Sequence, residues 1–355
     1  MCPTNNEALT NKVFSSDNTV GAAPSVLQAI MDAGANVQQP YGNDEHSQRL
    51  QHTLEAIFEC PLSVFLVPTG TAANALALSV LTPPWGAVLC HAQSHIHIDE
   101  CGAPEFFTHG AKLVLLEGEQ SKICPKNLAK IAAPNTNDVH TVQNSVVSIS
   151  QTTETGSVYS LAQLSEISRI CKQNGLKLHM DGARFTNALV SLDCSPAQMT
   201  WQAGVDILSL GATKNGTMAV EAIVMFDSSL AKDMGWRRKR AGHLMSKMTL
   251  MSAQLEAYFK DDLWLHNARQ SNAMAKRLDQ GFREIPGVEM LDETVSNMFF
   301  CKMPKAMIEH LFAQGFYFYT DRWGENVVRL VTNFTTTKAD VDALISAAKS
   351  FSNKQ

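Results

Sequence analysis

Residues 175–181, Gly-Leu-Lys-Leu-His-Met-Asp, and residues 204–214, Gly-Val-Asp-Ile-Leu-Ser-Leu-Gly-Ala-Thr-Lys, are the stretches from which the fold can be read. Each begins at a glycine, runs through a short apolar segment and ends on a charged side chain, Asp181 in the first and Lys214 in the second. Ahead of the first, Ser160-x-x-Gln163 forms a capping box that opens a helix, and Gly175 is its stop signal. Between the two, residues 196–203 read as a short helix. Helices alternating with short buried strands argue for an α/β fold with a mostly parallel central sheet and helices on both faces. In an open sheet of that kind ligands bind beyond the carboxyl ends of the strands, so Asp181 and Lys214 can converge on one cleft.

The same alternation extends outward in both directions. Pro24 and Gly34 bracket a helix over 25–33, and Leu50, Leu54, Ile57 and Phe58 recur at helical spacing in the next. Residues 64–67, 146–151 and 219–226 read as further strands. Beyond about residue 227 long helical segments follow, over 245–258 and 266–283, which look like a bridge between domains. The rest reads as strand over 297–301, helix over 305–314, strands over 316–320 and 327–331, and a last helix after Thr337. This predicts a large α/β domain over 1–255 and a smaller α+β domain over 256–355.

Composition narrows the class. With 355 residues, 45% hydrophobic and 18% charged, the chain can bury sizeable cores. A net charge of −5 supplies no basic excess to neutralise phosphates along a nucleic acid. The eight cysteines, Cys2 among them, are scattered and never form a C-x-x-C pair, which fits reduced thiols in the cytoplasm. The start, MCPTNNEALTNKVF, has neither a basic nor an apolar leader region, and no apolar run is long enough to cross a bilayer. Neither export nor a membrane span is expected.

A carboxylate facing a lysine across a cleft meets the needs of pyridoxal phosphate, which takes a covalent lysine link and an acidic partner for its ring nitrogen. On spacing alone, a structural ion pair is the commoner meaning of two such residues. Pro68-Thr69-Gly70-Thr71-Ala72-Ala73-Asn74 follows one buried strand and precedes an Ala/Leu-rich helix. Glycine, a threonine hydroxyl and a helix N-terminus together make a phosphate cup, although a plain turn with Thr71 as N-cap accounts for the segment equally well. Dinucleotide and triphosphate loops are missing: Gly211 and Gly216 have P-loop spacing, but Thr217 stands where its lysine belongs.

With these motifs assembled, the chain resembles the threonine aldolases, enzymes of the aspartate-aminotransferase-like fold type I that depend on pyridoxal 5'-phosphate. The resemblance runs in order through Ser16-Asp17-Asn18-Thr19, Tyr41-Gly42-Asn43-Asp44, the cup, His179-Met180-Asp181-Gly182-Ala183-Arg184, Lys214 and Val328-Arg329-Leu330-Val331-Thr332. It implies that Lys214 bears the cofactor, Asp181 pairs with its ring nitrogen, Gly70 and Thr71 hold its phosphate, and His95 stacks on its ring. Ser16, Arg184 and Arg329 would grip the substrate's α-carboxylate, a task suited to the planar arginine fork. Arg240 and Lys247 align with a family lysine and arginine near the phosphate. Tyr41 would be a contact from a second copy in a homodimer or homotetramer.

One departure stands out. The family's histidine in the loop after the 146–151 strand is replaced by Glu154, so Glu154, His95 or a water is left as the candidate base. His91-x-x-x-His95-x-His97-x-Asp99-Glu100 lacks one-face spacing, and no metal is expected there. His179 reads as a core histidine, and Met245, Met248 and Met251 as packing residues. The expected activity is reversible cleavage of an L-3-hydroxy-α-amino acid, such as threonine, allo-threonine or phenylserine, to glycine and an aldehyde. Another pyridoxal-phosphate lyase or an aminotransferase on the same fold, and a non-catalytic scaffold, are the alternatives.

Overall fold

The computed structural model describes residues 12–133 and 138–352; Cys2 and the first eleven residues lie outside them. Seven strands form the central sheet: β1 (Ser63–Val67), β2 (Gly86–His91), β3 (Lys112–Leu116), β4 (Gln143–Ser150), β5 (Lys177–Gly182), β6 (Ile207–Gly211) and β7 (Glu221–Met225). Their order across the sheet is β1-β7-β6-β5-β4-β2-β3, and only β7 runs against its neighbours. Two of these strands, β2 and β3, and the Ala231–Arg240 helix add to the elements expected from sequence. That helix ends in four consecutive cations, a composition that reads as a solvated run, but positive charge is favourable at a helix C-terminus.

Successive strand residues face opposite sides, and here the two faces build separate cores. Leu66, Leu89, Val147, Leu208 and Val224 belong to one core, while their neighbours Val67, Val88, Val146, Ile207 and Ile223 belong to the other. The second of these cores receives the Gly70–Leu81 helix through Leu76 and Leu78. Such burial on both faces is why the runs look continuously apolar.

The reversal of β7 follows from the segment that precedes it. After β6 a 3₁₀ turn, Thr213–Asn215, carries Lys214, and Gly216 takes φ 123°, where a side chain would also come within 2.6 Å of Asn267 Nδ2. The capping box at Ser160 is present as read, with the helix running Leu161–Gln173.

A second, antiparallel sheet has the order β10-β11-β9-β8, with β8 at Glu289–Met290, β9 at Met298–Lys302, β10 at Tyr319–Thr320 and β11 at Val327–Val331. It packs on a core of Phe282, Phe299, Leu311, Leu330 and Leu344. The Leu263–Arg283 helix joins the two parts, placing Trp264 in the large core and Met274 to Phe282 in the small one. Phe14, near the other end of the chain, also lies in the small core. Its amide donates to the Tyr317 carbonyl and its carbonyl accepts from Val331 N. That crossing segment takes up the backbone of Tyr317, so only Tyr319–Thr320 of the expected 316–320 strand pairs within the sheet. It then leads Ser15 to Asn18 back across the cleft. The helix expected over 245–258 begins at Thr249; Met248 and Met251 are buried in the core, whereas Met245 is exposed.

Candidate active site

The strand register places the site. Asp181 pairs with Ser150 on β4 and with Ser209 on β6, and Gly211 pairs with Glu221, the first residue of β7. These residues therefore meet at the carboxyl ends of the central parallel strands. They line a cavity of about 290 Å³ together with Gly70, Thr71, Asn74, His95, Glu154, Arg184 and Lys214.

The floor is a chain of hydrogen bonds. Asn74 Nδ2 donates to Asp181 Oδ2 at 2.8 Å and to Glu100 Oε1 at 2.9 Å, and His95 Nδ1 lies 2.8 Å from the same Glu100 oxygen. Asp181 Oδ1 accepts from Ala183 N at 2.9 Å. The bond to Glu100 raises the His95 pKa against the effect of burial, and burial raises that of Glu100. Asn74 lies one helical turn after Gly70, on the face that looks into the cavity, a spacing that could have marked it in the sequence. Glu100 has no such spacing signal, since it lies two residues beyond the short His95–Ile98 helix and Asp99 is the acidic residue one turn after His95.

At the start of the Gly70–Leu81 helix the N-cap is Thr69, whose hydroxyl accepts from Ala72 N at 3.1 Å. Thr71 is thereby spared the capping role and lines the cavity. The Gly70 and Thr71 amides, ahead of the capped one, have no acceptor among the described residues. Nothing lies within 4 Å of where a Gly70 side chain would stand.

Opposite, no hydrogen bond or ion pair holds the Lys214 amine among the described residues. Burial and the charge of Arg184 pull its pKa below the ordinary lysine value, against Asp17, Asp181 and Glu221. Glu154 Oε1 accepts from Ser150 Oγ at 2.7 Å and from His95 N at 2.9 Å, while Oε2 is buried without a partner. Burial pushes Glu154 up to about 7.

The roof comes from elsewhere in the chain. The Arg184 fork closes on Asp17, with Nε at 2.7 Å and Nη2 at 2.9 Å from its oxygens, and Asn297 Nδ2 adds a third bond at 3.0 Å. Burial works against the Asp17 charge, yet Arg184 and Lys214 hold its pKa below the usual carboxylate value. The fork expected to receive a substrate carboxylate is thus filled from within, by a residue of the Ser16-Asp17-Asn18-Thr19 motif itself. Ser16 Oγ caps the 3₁₀ turn Asp17–Thr19, accepting from Asn18 N at 3.1 Å, and Asn18 lines the cavity. Arg329 lies between the Tyr319 and Trp323 rings at 5.2 and 5.1 Å, donates from Nη2 to Ser15 O, and leaves Nε buried without a partner. Burial and the nearby Arg184 pull it down to about 10. A second cavity of about 480 Å³ shares Glu154 as a wall and is lined by Ile98, Leu291, Phe300 and Trp323.

Five expected site residues are not among those lining this cavity within the chain: Ser16 and Arg329, placed beside its roof, and Arg240, Lys247 and Tyr41. Arg240 ends the Ala231–Arg240 helix and lines a separate hollow with Phe106 and Trp236. Met234 anchors that helix in the core beneath Leu76, so its last turn is carried to the outer surface. Lys247 lies in the turn after it. Tyr41, at φ 62° and exposed, sits beneath the Lys239 ammonium and lines a third hollow.

His91 and His179 are structural. His91 bonds to Gly118 O and Gln93 N rather than pointing at His95, and among the described residues no three His, Cys, Asp or Glu side chains gather as a metal site. His179 joins Ser148 on β4 to Ser209 on β6 at 2.9 and 3.0 Å, and burial pulls it down to about 4. Seven cysteines are free thiols among the described residues.

The Beta-eliminating lyase family profile matches residues 14–304. The low specificity L-threonine aldolase of Pseudomonas aeruginosa is 40% identical over 323 residues, 91% of this chain and 93% of the relative. The enzyme of that name from Pseudomonas sp. strain NCIMB 10558 is 40% identical over 331 residues, 93% of this chain and 95% of its own. The solved structure of Leishmania major threonine aldolase superposes with a TM-score of 0.89 at 29% identity, covering 96% of this chain and 99% of that one.

Proposed function

The chain belongs to the Beta-eliminating lyase family, among its threonine aldolases, and from that premise we propose that it cleaves L-3-hydroxy-α-amino acids reversibly to glycine and an aldehyde. Its cofactor is pyridoxal 5'-phosphate. The observation that carries the reading is one cavity holding an unpartnered lysine amine, a hydrogen-bonded carboxylate and an open helix start. These are the three groups the cofactor requires: Lys214 to anchor it, Asp181 for the ring nitrogen, and the free Gly70 and Thr71 amides for the phosphate.

When bound, the cofactor supplies a sink for the electron pair of the substrate's Cα–Cβ bond. Asp181, braced by Asn74 and Ala183 N, holds the proton on the ring nitrogen. His95, fixed by Glu100, covers the ring. Arg329 Nε and the Ser16 hydroxyl receive the α-carboxylate, and Asp17 holds Arg184 flat beside them. Glu154 Oε2 takes the 3-hydroxyl proton as the carbonyl of the aldehyde forms. Its lack of a partner and its pKa near neutrality suit a base that must gain and release a proton in each turnover. The cavity beyond Glu154, lined by apolar Ile98, Leu291, Phe300, Trp323 and Val327 and by polar Gln93, Thr155, Asp292 and Arg322, gives room for substituents larger than methyl.

We place Tyr41, Arg240 and Lys247 in the cavity of a second copy, which makes the working unit a homodimer or a tetramer of dimers. Their exposure on one chain supports this. The charge balance, the free thiols and the absence, among the described residues, of a helix able to cross a membrane support work on a small amino acid in the cytoplasm.

The test is a panel of threonine, allo-threonine, phenylserine and serine with products identified. Glycine plus aldehyde is the expected outcome; ammonia plus a 2-oxo acid would instead assign β-elimination. Mixing Lys214→Ala copies with Arg240→Ala copies should restore part of the activity that each lacks alone, and no restoration would reject the shared site.

A further inference from the structure

Glu221 is a buried carboxylate with no part in the scheme above. It opens β7, directly across from Gly211, and is 7% exposed. Its Oε2 accepts from Ala212 N at 2.6 Å, two residues before Lys214, and it lines the same cavity as that lysine. Thr213, whose hydroxyl donates to Val220 O at 3.3 Å, lies near enough to favour the charged form of the carboxylate. No arginine or lysine pairs with it among the described residues at ion-pair distance, and a buried carboxylate left so is costly unless a charge nearby offsets it.

The groups facing Glu221 are few. Lys214 is the charged one, from the 3₁₀ turn; the Tyr258 hydroxyl faces it from the Thr249–Phe259 helix. Val67, its partner on β1, brings no charge. Around Lys214 itself stand Arg184, Asp17 and Asp181.

We propose that Glu221 is a positioning residue for Lys214, clamping the turn that carries the lysine and storing the proton the lysine gives up. Lys214 reacts with a carbonyl group only as the neutral amine. As that amine forms, an N–H bond of the ammonium breaks and an O–H bond forms on the Glu221 carboxylate, the proton passing through a bridging water because the two groups are not in direct contact. The separated ammonium and carboxylate become a neutral amine and a neutral acid, and the net charge of the cavity does not change. Burial pushes Glu221 up to about 7, so either state is accessible near neutrality. This inference rests on Lys214 being the lysine that bears the cofactor.

The experiment is a pH titration of the visible absorbance of the holoenzyme, with borohydride fixation and peptide mapping to locate the cofactor. The Glu221 carboxylate favours the protonated lysine nitrogen. Its replacement in Glu221→Gln should therefore lower the titration midpoint by about one pH unit. Glutamine keeps an oxygen for Ala212 N, so a purely structural clamp predicts an unchanged midpoint, and that result overturns the proposal. Glu221→Asp separates the two further: it keeps the charge but shortens the clamp. A midpoint nearer wild type for aspartate than for glutamine supports the proposal, and the reverse order rejects it. Should Glu221→Gln fail to fold, Glu221→Asp alone decides, because a wild-type midpoint in a variant that has lost thermal stability supports proton storage and a displaced one rejects it. Failure of fixation at Lys214 would strike the functional reading instead, whatever the midpoints.

Discussion

The floor and the roof of the cavity are built on different principles. On the floor, Asp181, Ser209 and Glu221 stand at one end of the central strands, and each is placed by its register with neighbouring strands. In the roof, Arg329 is held by two aromatic rings and a carbonyl 314 residues away, and Arg184 by Asp17, 167 residues away. Rigid strand ends suit groups that act on the bond being broken. A roof assembled from the N-terminal crossing and the small antiparallel sheet suits groups that seat the substrate. Floor substitutions should therefore lower kcat and roof substitutions should raise KM.

The largest effect falls on the floor. Lys214→Ala should abolish the visible cofactor band and cut turnover by at least about 10⁴-fold, and a retained band would break the comparison outright. Glu154→Gln should lower kcat by about 10²–10⁴-fold. In the wild type, activity should rise with pH through about 7 as Glu154 ionises, and that limb should vanish in the variant when kcat is followed across pH. In the roof, Arg329→Lys should raise KM for threonine by about 30-fold with a smaller change in kcat, since a single ammonium cannot replace the planar fork. A loss confined to kcat would erase the distinction between the two regions. The smallest effect is on preference: Trp323→Ala should lower kcat/KM for phenylserine relative to threonine by about tenfold, read from competition between the two substrates.

The same contrast explains what could be read in advance. Asp181 and Lys214 were legible because strand, turn and helix signals are local, and a parallel sheet brings its strand ends together by construction. The Ser160 box and the two-faced apolar runs are local in the same sense, whereas the cap of the Gly70–Leu81 helix falls on Thr69 and not on Thr71, the residue the sequence suggested. Asp17 filling the Arg184 fork was not legible, because no nearest-neighbour pattern links residues so far apart. Asn74 and Glu100 lay inside quoted motifs, yet their joint role depends on Asp181 approaching from a third segment. Arg240 shows the converse: the aligned motif names the residue, while the packing of Met234 carries its helix end to the outer surface, and Tyr41 and Lys247, on other segments, are likewise exposed on one chain.

His179 has a consequence for the whole molecule in acid. Locked between Ser148 and Ser209, it resists protonation until about pH 4, whereas the unfolded chain takes up that proton near pH 6.5. Its contribution is therefore complete above about 6.5 and drains away as the medium is acidified toward 4, a loss on the order of 3 kcal/mol. Acid therefore acts on this chain twice: turnover fades first, as Glu154 takes up its proton near 7, and the rivet through three strands gives way only as the medium approaches 4.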